Sequence, residues 1–282
     1  MSLPSDFSLL QQICLLCTSV PLAACTHCRL VRAQDRGANA TLDLYEEPPP
    51  LAMPGADNND NLGNHVLRAV KRKDGVMPWH YYYDIYLAPS LSPSLPAPGI
   101  LVGRVVPTTV GGVYTILQRS LPDANEEPGP VQWQEVCAVQ YDSHVLGSTG
   151  PREMTVIVHA VNYDSGSPPL ADPKPLIDRH RMGADSDPGI VPLINKPPIF
   201  VSETATYALD FGPRVTMRSV KNFQLIHPHD KDYIVMQFGK SGPDSFALDI
   251  RFPMSPVMAL GVAITSIDRK IIYNLSLPSF LH

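Results

Sequence analysis

Two Cys-x-x-Cys pairs, Cys14-Leu-Leu-Cys17 and Cys25-Thr-His-Cys28, stand near the amino terminus. Four thiolates can surround a zinc ion tetrahedrally. The gap of seven residues between the pairs is short for a zinc ribbon, and the first pair sits in an apolar run with no turn residues to shape a metal knuckle. The expectation is no resident metal, with Cys14, Cys17, Cys25 and Cys28 as the one candidate set. His227-Pro-His229-Asp-Lys-Asp232 also offers ligand types, but it lies between two predicted strands, with Pro228 and Asp230 as turn formers. It reads as a loop. Cys137 sits mid-strand in Val136-Cys-Ala-Val139 and reads as a buried structural thiol, not a nucleophile. Asp178-Arg-His-Arg181 is charged and flanked by prolines, so it too reads as a loop. Neither a nucleophile elbow, a Walker loop nor His-Glu-x-x-His occurs. The expected function is non-enzymatic, with no cofactor.

Cations supply the other chemistry. Arg68, Lys71, Arg72 and Lys73 cluster in one stretch, and Arg104 stands in Val102-Gly-Arg-Val105. Convergent cations are what a phosphorylated headgroup needs, because each phosphate carries dense charge. The plain alternative for Lys71–Lys73 is a solvated hairpin, with Asp74-Gly75 as its turn. A net charge of −5 makes the whole chain a poor match for nucleic acid, and no DNA-reading motif is present.

The elements that must position these residues are short strands. The 282 residues include 30 prolines, and only 17% are charged, which suits strands joined by irregular loops. Strands are predicted at Tyr81–Leu87, Ile100–Val106, Gly112–Arg119, Glu135–Tyr141, Met154–Val161, Thr206–Phe211, Phe223–His227, Tyr233–Phe238 and Phe246–Phe252. One segment differs. Ser255 can cap a helix and Pro256 suits its first turn. Val257 to Ile264 then carry no charge on any face; a buried strand is the alternative for so short an apolar run, but as a helix it must be buried all round. It is too short to cross a bilayer. A sheet wrapped around the helix satisfies both facts.

The amino-terminal stretch reads differently. The apolar run Ile13–Ala24 lacks a preceding Lys or Arg, against a secretory signal. Leu42–Asn61 is acidic and proline-rich and reads as a solvated linker. We place the boundary near Asn64: an unstructured extension over 1–63, then a β-rich domain over 64–282. Only Cys137 lies in that domain, so it can form no disulfide of its own, which favours a reducing compartment.

Several motifs in order resemble the carboxy-terminal domain of the tubby-like proteins. They are Leu146-Gly-Ser-Thr-Gly-Pro-Arg-Glu-Met154, Asn195-Lys-Pro-Pro198, Arg214-Val-Thr-Met-Arg-Ser-Val-Lys-Asn-Phe-Gln224, Asp232-Tyr-Ile-Val-Met-Gln-Phe-Gly239 and the stretch from Pro253 to Lys270. The resemblance implies a closed antiparallel β-barrel of about twelve strands around a central hydrophobic helix, acting as a monomer. It implies binding of phosphatidylinositol 4,5-bisphosphate or another anionic membrane lipid. It also implies a cytoplasmic, membrane-peripheral adaptor in protein trafficking, including delivery to cilia, with nuclear roles proposed for some members. Arg104 falls where the family has a lysine, and with the basic cluster Lys71, Arg72 and Lys73 it makes up the expected headgroup site. The chain departs from the family in three places. Val106 stands where the family has an arginine. Ala88–Pro98, without a cation, replaces a Lys/Arg-rich strand, which leaves two counts open, about twelve strands or fewer, and implies a weakened lipid site. Residues 271–282 extend past the family's usual end, as a further strand or a partner-binding peptide. The second functional reading is therefore a protein-interaction scaffold with a degenerate lipid site.

Overall fold

The computed structural model describes residues 15–33, 40–48, 63–73, 81–88, 99–108, 112–119, 132–142, 153–160, 174–183, 187–202 and 206–268. Their strands are β1 (Thr26–Arg32), β2 (Thr41–Glu47), β3 (Asn64–Lys73), β4 (Tyr81–Leu87), β5 (Leu101–Pro107), β6 (Val113–Arg119), β7 (Trp133–Tyr141), β8 (Met154–His159), β9 (Ile190–Asn195), β10 (Ile199–Val201), β11 (Thr206–Ala208), β12 (Phe223–His227), β13 (Asp230–Lys240) and β14 (Ser245–Ile250). Twelve of them close a ring in the order β1-β14-β13-β12-β9-β8-β7-β6-β5-β4-β3-β2, and antiparallel pairing of β2 with β1 completes it. β10 and β11 form a separate hairpin. Each of the nine predicted runs contains a strand.

Period-two alternation builds the wall: one face of each strand is apolar and turned inward, the other meets solvent. β1 shows it in miniature, with Cys28 and Leu30 buried at 1% and 0% exposure between partly exposed neighbours. The interior is filled by a helix over Pro256–Ile267, all of whose residues are buried. Its start is the one expected. Ser255 accepts a hydrogen bond from Met258 N at 3.2 Å, and Pro256 occupies the first turn. Gly261 lets helix and wall meet, since a Cβ there would lie 2.7 Å from Ile116 Cδ1 on β6. Burying each Val, Leu, Ile or Met of such a helix contributes on the order of 1.5–3 kcal/mol. Among the described residues no helix is long and apolar enough to cross a membrane.

Two expectations are corrected, the domain boundary and the loop at Asp178–Arg181. The boundary at Asn64 falls inside the domain: β1 and β2 precede it and close the ring, and without them β3 and β14 would expose open edges. Of the two strand counts left open, twelve is the one found, because β4 pairs directly with β5 and closes the ring. Residues 89–98, at the centre of the proline-rich replacement, lie outside the described residues, as do 269–282. Asp178–Arg181 is not a loop. It belongs to a helix, α1 (Leu176–Arg181), that packs Leu176 and Ile177 over Val113, Ala138, Ile157 and Ile190 on the barrel exterior. The helix enclosed by the barrel is α2 (Pro256–Ile267).

Candidate functional site

Consecutive cations on a strand cannot share a face, and that divides the predicted site. β3 pairs with β4 so that Arg72 lies opposite Tyr82, and β4 pairs with β5 so that Asp84 lies opposite Arg104. Tyr82, Asp84 and Tyr86 therefore share the outer face of β4 with Arg72 and Arg104 on its flanks. Lys71 points the other way. Its Nζ sits 3.6 Å from the Tyr81 ring centroid and 3.7 Å from Asp268 Oδ1, at the barrel mouth where α2 ends. Lys73 follows two residues later at the exposed end of β3. Arg72 and Arg104 come together; Lys71 and Lys73 do not join them. The proposed Asp74-Gly75 turn lies outside the described residues.

Asp84 organises this outer wall. Its side chain is 7% exposed and accepts from Arg104 Nε at 2.8 Å, while Arg72 Nε stands 3.9 Å from its other oxygen. Tyr86 hydroxyl donates to Asp84 Oδ2 and accepts from Arg72 Nη2, both at 3.3 Å. Burial pushes the Tyr86 hydroxyl's pKa up, and the bond to Tyr86 raises that of Arg72. The Arg104 guanidinium carbon lies 4.4 Å from the Tyr82 ring centroid and 5.1 Å from that of Trp133. Arg68 is engaged further along β3, with Nε 2.6 Å from Asp43 Oδ1, which His65 Nε2 also approaches at 3.1 Å. Burial alone would raise the pKa of Asp43, but the hydrogen bonds from His65 and Arg68 hold it below the usual carboxylate range. Two guanidiniums around one carboxylate leave a net single positive charge framed by aromatic rings. Such a surface can meet a phosphate through planar N–H forks. Asp84, Tyr82, Tyr86 and Trp133 were not singled out from the sequence. The signal was present, because alternation in Tyr81-Tyr-Tyr-Asp-Ile-Tyr86 puts the even-numbered residues on one face.

A second surface lies where β9 and β12 meet. In the ring order β12 and β4 are six positions apart of twelve, on opposite sides of the barrel. Here residues 209–222 run irregularly across the strands. Gln224 and Gln237 donate to the carbonyls of Asp210 and Phe211 at 2.7 and 3.0 Å. Arg214 is the main fastening. Its guanidinium pairs with Glu47 on β2 and Asp249 on β14, and donates to the Cys28 carbonyl at 2.8 Å. Next to it, Val215 fills the space left by the missing side chain of Gly239, where a Cβ would lie 2.4 Å from Val215 Cγ2. Between this segment and β8–β9 runs an open groove of about 1110 Å³ walled in part by Thr155, Ile194, Phe211, Val215 and Met217. Asp142, Glu153, Lys196 and Arg218 also line it. None of these four has an ion-pair partner among the described residues. The motifs that suggested the family resemblance, Asn195–Pro198 and Arg214–Gln224, thus line this groove or bind its wall to the barrel.

The cysteine and histidine candidates do not converge on a metal. Cys28 faces the barrel interior, Cys17 is buried in the same core, Cys25 is half-buried, and Cys14 lies outside the described residues. Burial pushes the Cys28 thiol well up, the opposite of what a thiolate ligand needs. Cys137 is fully buried, and burial raises its thiol in the same way. His227 and His229 close the turn between β12 and β13, with His229 N donating to His227 Nδ1 at 3.2 Å. Among the described residues no group of three His, Cys, Asp or Glu is placed to hold a metal ion.

Comparison with known proteins agrees with this architecture. The profile described as the Tub family matches residues 16–269. Tubby protein homolog 1 of Caenorhabditis briggsae is 42% identical over 144 residues, covering 49% of this chain and 34% of the relative. Protein king tubby of Drosophila virilis is 38% identical over 173 residues, 60% of this chain and 37% of its own. Tubby-related protein 1 of Mus musculus is 37% identical over 176 residues, 60% and 32% respectively. The chain spans roughly a third of the length of these relatives.

Proposed function

The chain belongs to the Tub family, and from that premise we propose that it is a non-enzymatic adaptor that docks on anionic membrane through the outer wall of β3–β5. The headgroup class is a phosphorylated inositide such as phosphatidylinositol 4,5-bisphosphate. The role is to link that lipid to protein trafficking, ciliary delivery included, from the cytoplasmic face. The supporting observation is that Arg72 and Arg104, on strands either side of β4, face the same outer surface among Tyr82, Tyr86 and Trp133. Phosphate oxygens meet guanidinium forks there, and the rings offer interfacial contacts.

A second reading, a protein scaffold with a degenerate lipid site, is favoured by a different fact. Each of Lys71, Arg72 and Arg104 already faces a carboxylate, Asp268 for the first and Asp84 for the other two. Co-sedimentation with vesicles separates the two. Adaptor docking requires stronger binding to vesicles containing the bisphosphorylated lipid than to neutral vesicles. The Arg72→Gln/Arg104→Gln double variant should then weaken binding by roughly thirty-fold, at about 1 kcal/mol per surface cation. Equal sedimentation with both vesicle types rejects membrane docking and leaves the scaffold.

A further inference from the structure

The outer wall of β3–β5 has little positive charge to spare. We propose that it seats one phosphate group, so that the lipid class it takes is an inositide with a single ring phosphate, and a second ring phosphate adds no affinity. The proposal rests on the docking reading above and narrows it.

The first support is a bounded supply of cations. Arg72 and Arg104 both face Asp84, so the two guanidiniums present one net positive charge. A phosphate monoester carries about −1.5 to −2 at neutral pH, more than that charge offsets. The neighbouring outward positions add none. Val70 lies opposite Asp84, Leu117 lies opposite Arg104, and Val106 is the next outward residue on β5. Arg68 is engaged by both oxygens of Asp43. The connecting segments are equally poor. Residues 74–80, 89–98, 108–112 and 120–132 contain no Lys or Arg, whereas Asp74, Asp123, Glu126 and Glu127 fall within them. Whatever path they take, these segments can add carboxylates to the wall but no lysine or arginine. Lys73 shares the inward parity of Lys71. Arg119 is the remaining outward Lys or Arg of β3–β6 among the described residues; it stands opposite Trp133, two residues past Leu117. It leads directly into 120–132 and its three carboxylates. A second phosphate would therefore set further negative charge beside Asp84 with no wall cation left to offset it.

The second support is how the two cations are held. Arg104 gives its Nε to Asp84 Oδ1 at 2.8 Å, and its guanidinium lies against both the Tyr82 and Trp133 rings. Arg72 Nη2 donates to the Tyr86 hydroxyl, which donates in turn to Asp84 Oδ2. Both cations are tethered to the two oxygens of one carboxylate, so they cannot part to grip two phosphates separately. The N–H groups they keep suit the three oxygens of one.

Vesicle binding of the full chain tests this. Phosphatidylcholine vesicles carry the same mole fraction of phosphatidylinositol 4-phosphate or of phosphatidylinositol 4,5-bisphosphate, which differ by one phosphate. Phosphatidylserine brings both, and a third set without inositide, to the same surface potential. The chain should bind the two inositide vesicles within about twofold of each other, and the serine-only vesicles several-fold more weakly. Asp84→Asn frees positive charge for a second phosphate, so that variant should favour the bisphosphate by about fivefold, the effect of one further cation contact. The comparison on the unaltered chain decides the matter without any variant. A bisphosphate preference of about fivefold or more overturns the single seat and leaves membrane docking in place. If Arg119→Gln then removes that preference, the second phosphate belongs to Arg119. Equal binding to all three sets overturns both the single seat and the inositide reading beneath it.

Discussion

The wall of β3–β5 and the groove at β9 and β12 face opposite sides of one barrel and treat charge in opposite ways. On the wall, cations and carboxylates are built into the strand lattice: Arg68 with Asp43, Arg72 and Arg104 with Asp84. At the groove, Lys196, Arg218, Asp142 and Glu153 line a surface without an ion pair to one another or to any other described residue. A cluster of cations in sequence is therefore a poor guide to available charge. Regular strands place opposite charges at paired positions, where each offsets the other. Strand ends and irregular backbone lack that register: Arg214 there still finds two carboxylates, while Asp142, Glu153, Lys196 and Arg218 have no ion pair among the described residues.

The largest expected effect comes from detaching the groove from the barrel. Arg214 is 17% exposed and pairs with two carboxylates, Glu47 and Asp249, that are each 14% exposed. Arg214→Ala takes the shared guanidinium from both, leaving Glu47 with Arg29 alone and Asp249 with His27 and Gln237, and breaking a buried ion pair costs up to about 3–5 kcal/mol. The unfolding midpoint in denaturant should fall accordingly. Exchange protection should vanish first over 209–222 and persist in β3–β5. Uniform loss across the barrel would show that the two faces are one cooperative unit and that the contrast between them is only geometric.

Asp84 tests the other side of the comparison. Asp84→Asn removes the carboxylate shared by Arg72 and Arg104 and raises the wall's net charge by one. Binding to anionic vesicles should rise several-fold, at about 1 kcal/mol per added positive charge near a membrane surface. Stability should fall by about 1–3 kcal/mol, because two guanidiniums lose a charged acceptor. If vesicle binding stays flat while stability falls, the wall is structural and the scaffold reading gains.

Much of the barrel was legible because alternation and β-branched composition act locally. The nine predicted runs needed nothing beyond their own residues, and the uncharged Val257–Ile264 required enclosure whatever surrounds it. β1 was missed because its cysteines invited a metal reading, although Thr26-His-Cys-Arg-Leu-Val-Arg32 alternates as a strand should. β2 was missed because Glu46 and Glu47 read as a linker, whereas Glu47 is acidic in order to meet Arg29 and Arg214. That partnership joins residues 167 positions apart and leaves no local trace. The site was half legible for the same reason. Parity on β3 separates Lys71 from Arg72, but the acceptance of both guanidiniums by Asp84 is a tertiary fact.

The smallest expected effect concerns pH, and it also distinguishes the two faces. His27 lies under Arg214 and donates Nδ1–H to Asp249 Oδ1 at 2.8 Å as a neutral ring. Burial holds its pKa below 6.5, and the charges of Arg214 and Arg251 lower it further, outweighing Glu47. The folded state thus resists a proton that the unfolded chain accepts near the ordinary histidine value. Stability tied to this group is complete above about pH 6.5 and is lost as pH falls from there toward the depressed folded value. His159 follows the same sign, its ring kept neutral by burial against the partial help of the Glu135 carbonyl. The melting temperature should drop between about pH 7 and pH 5. His27→Gln should flatten part of that drop, since an amide can still donate to Asp249 but takes up no proton. Exchange over 209–222 should speed up across the same interval, while the wall around Asp84 should not respond. A titration that loosened β3–β5 first would reverse the assignment of which face is fastened by ionisable contacts.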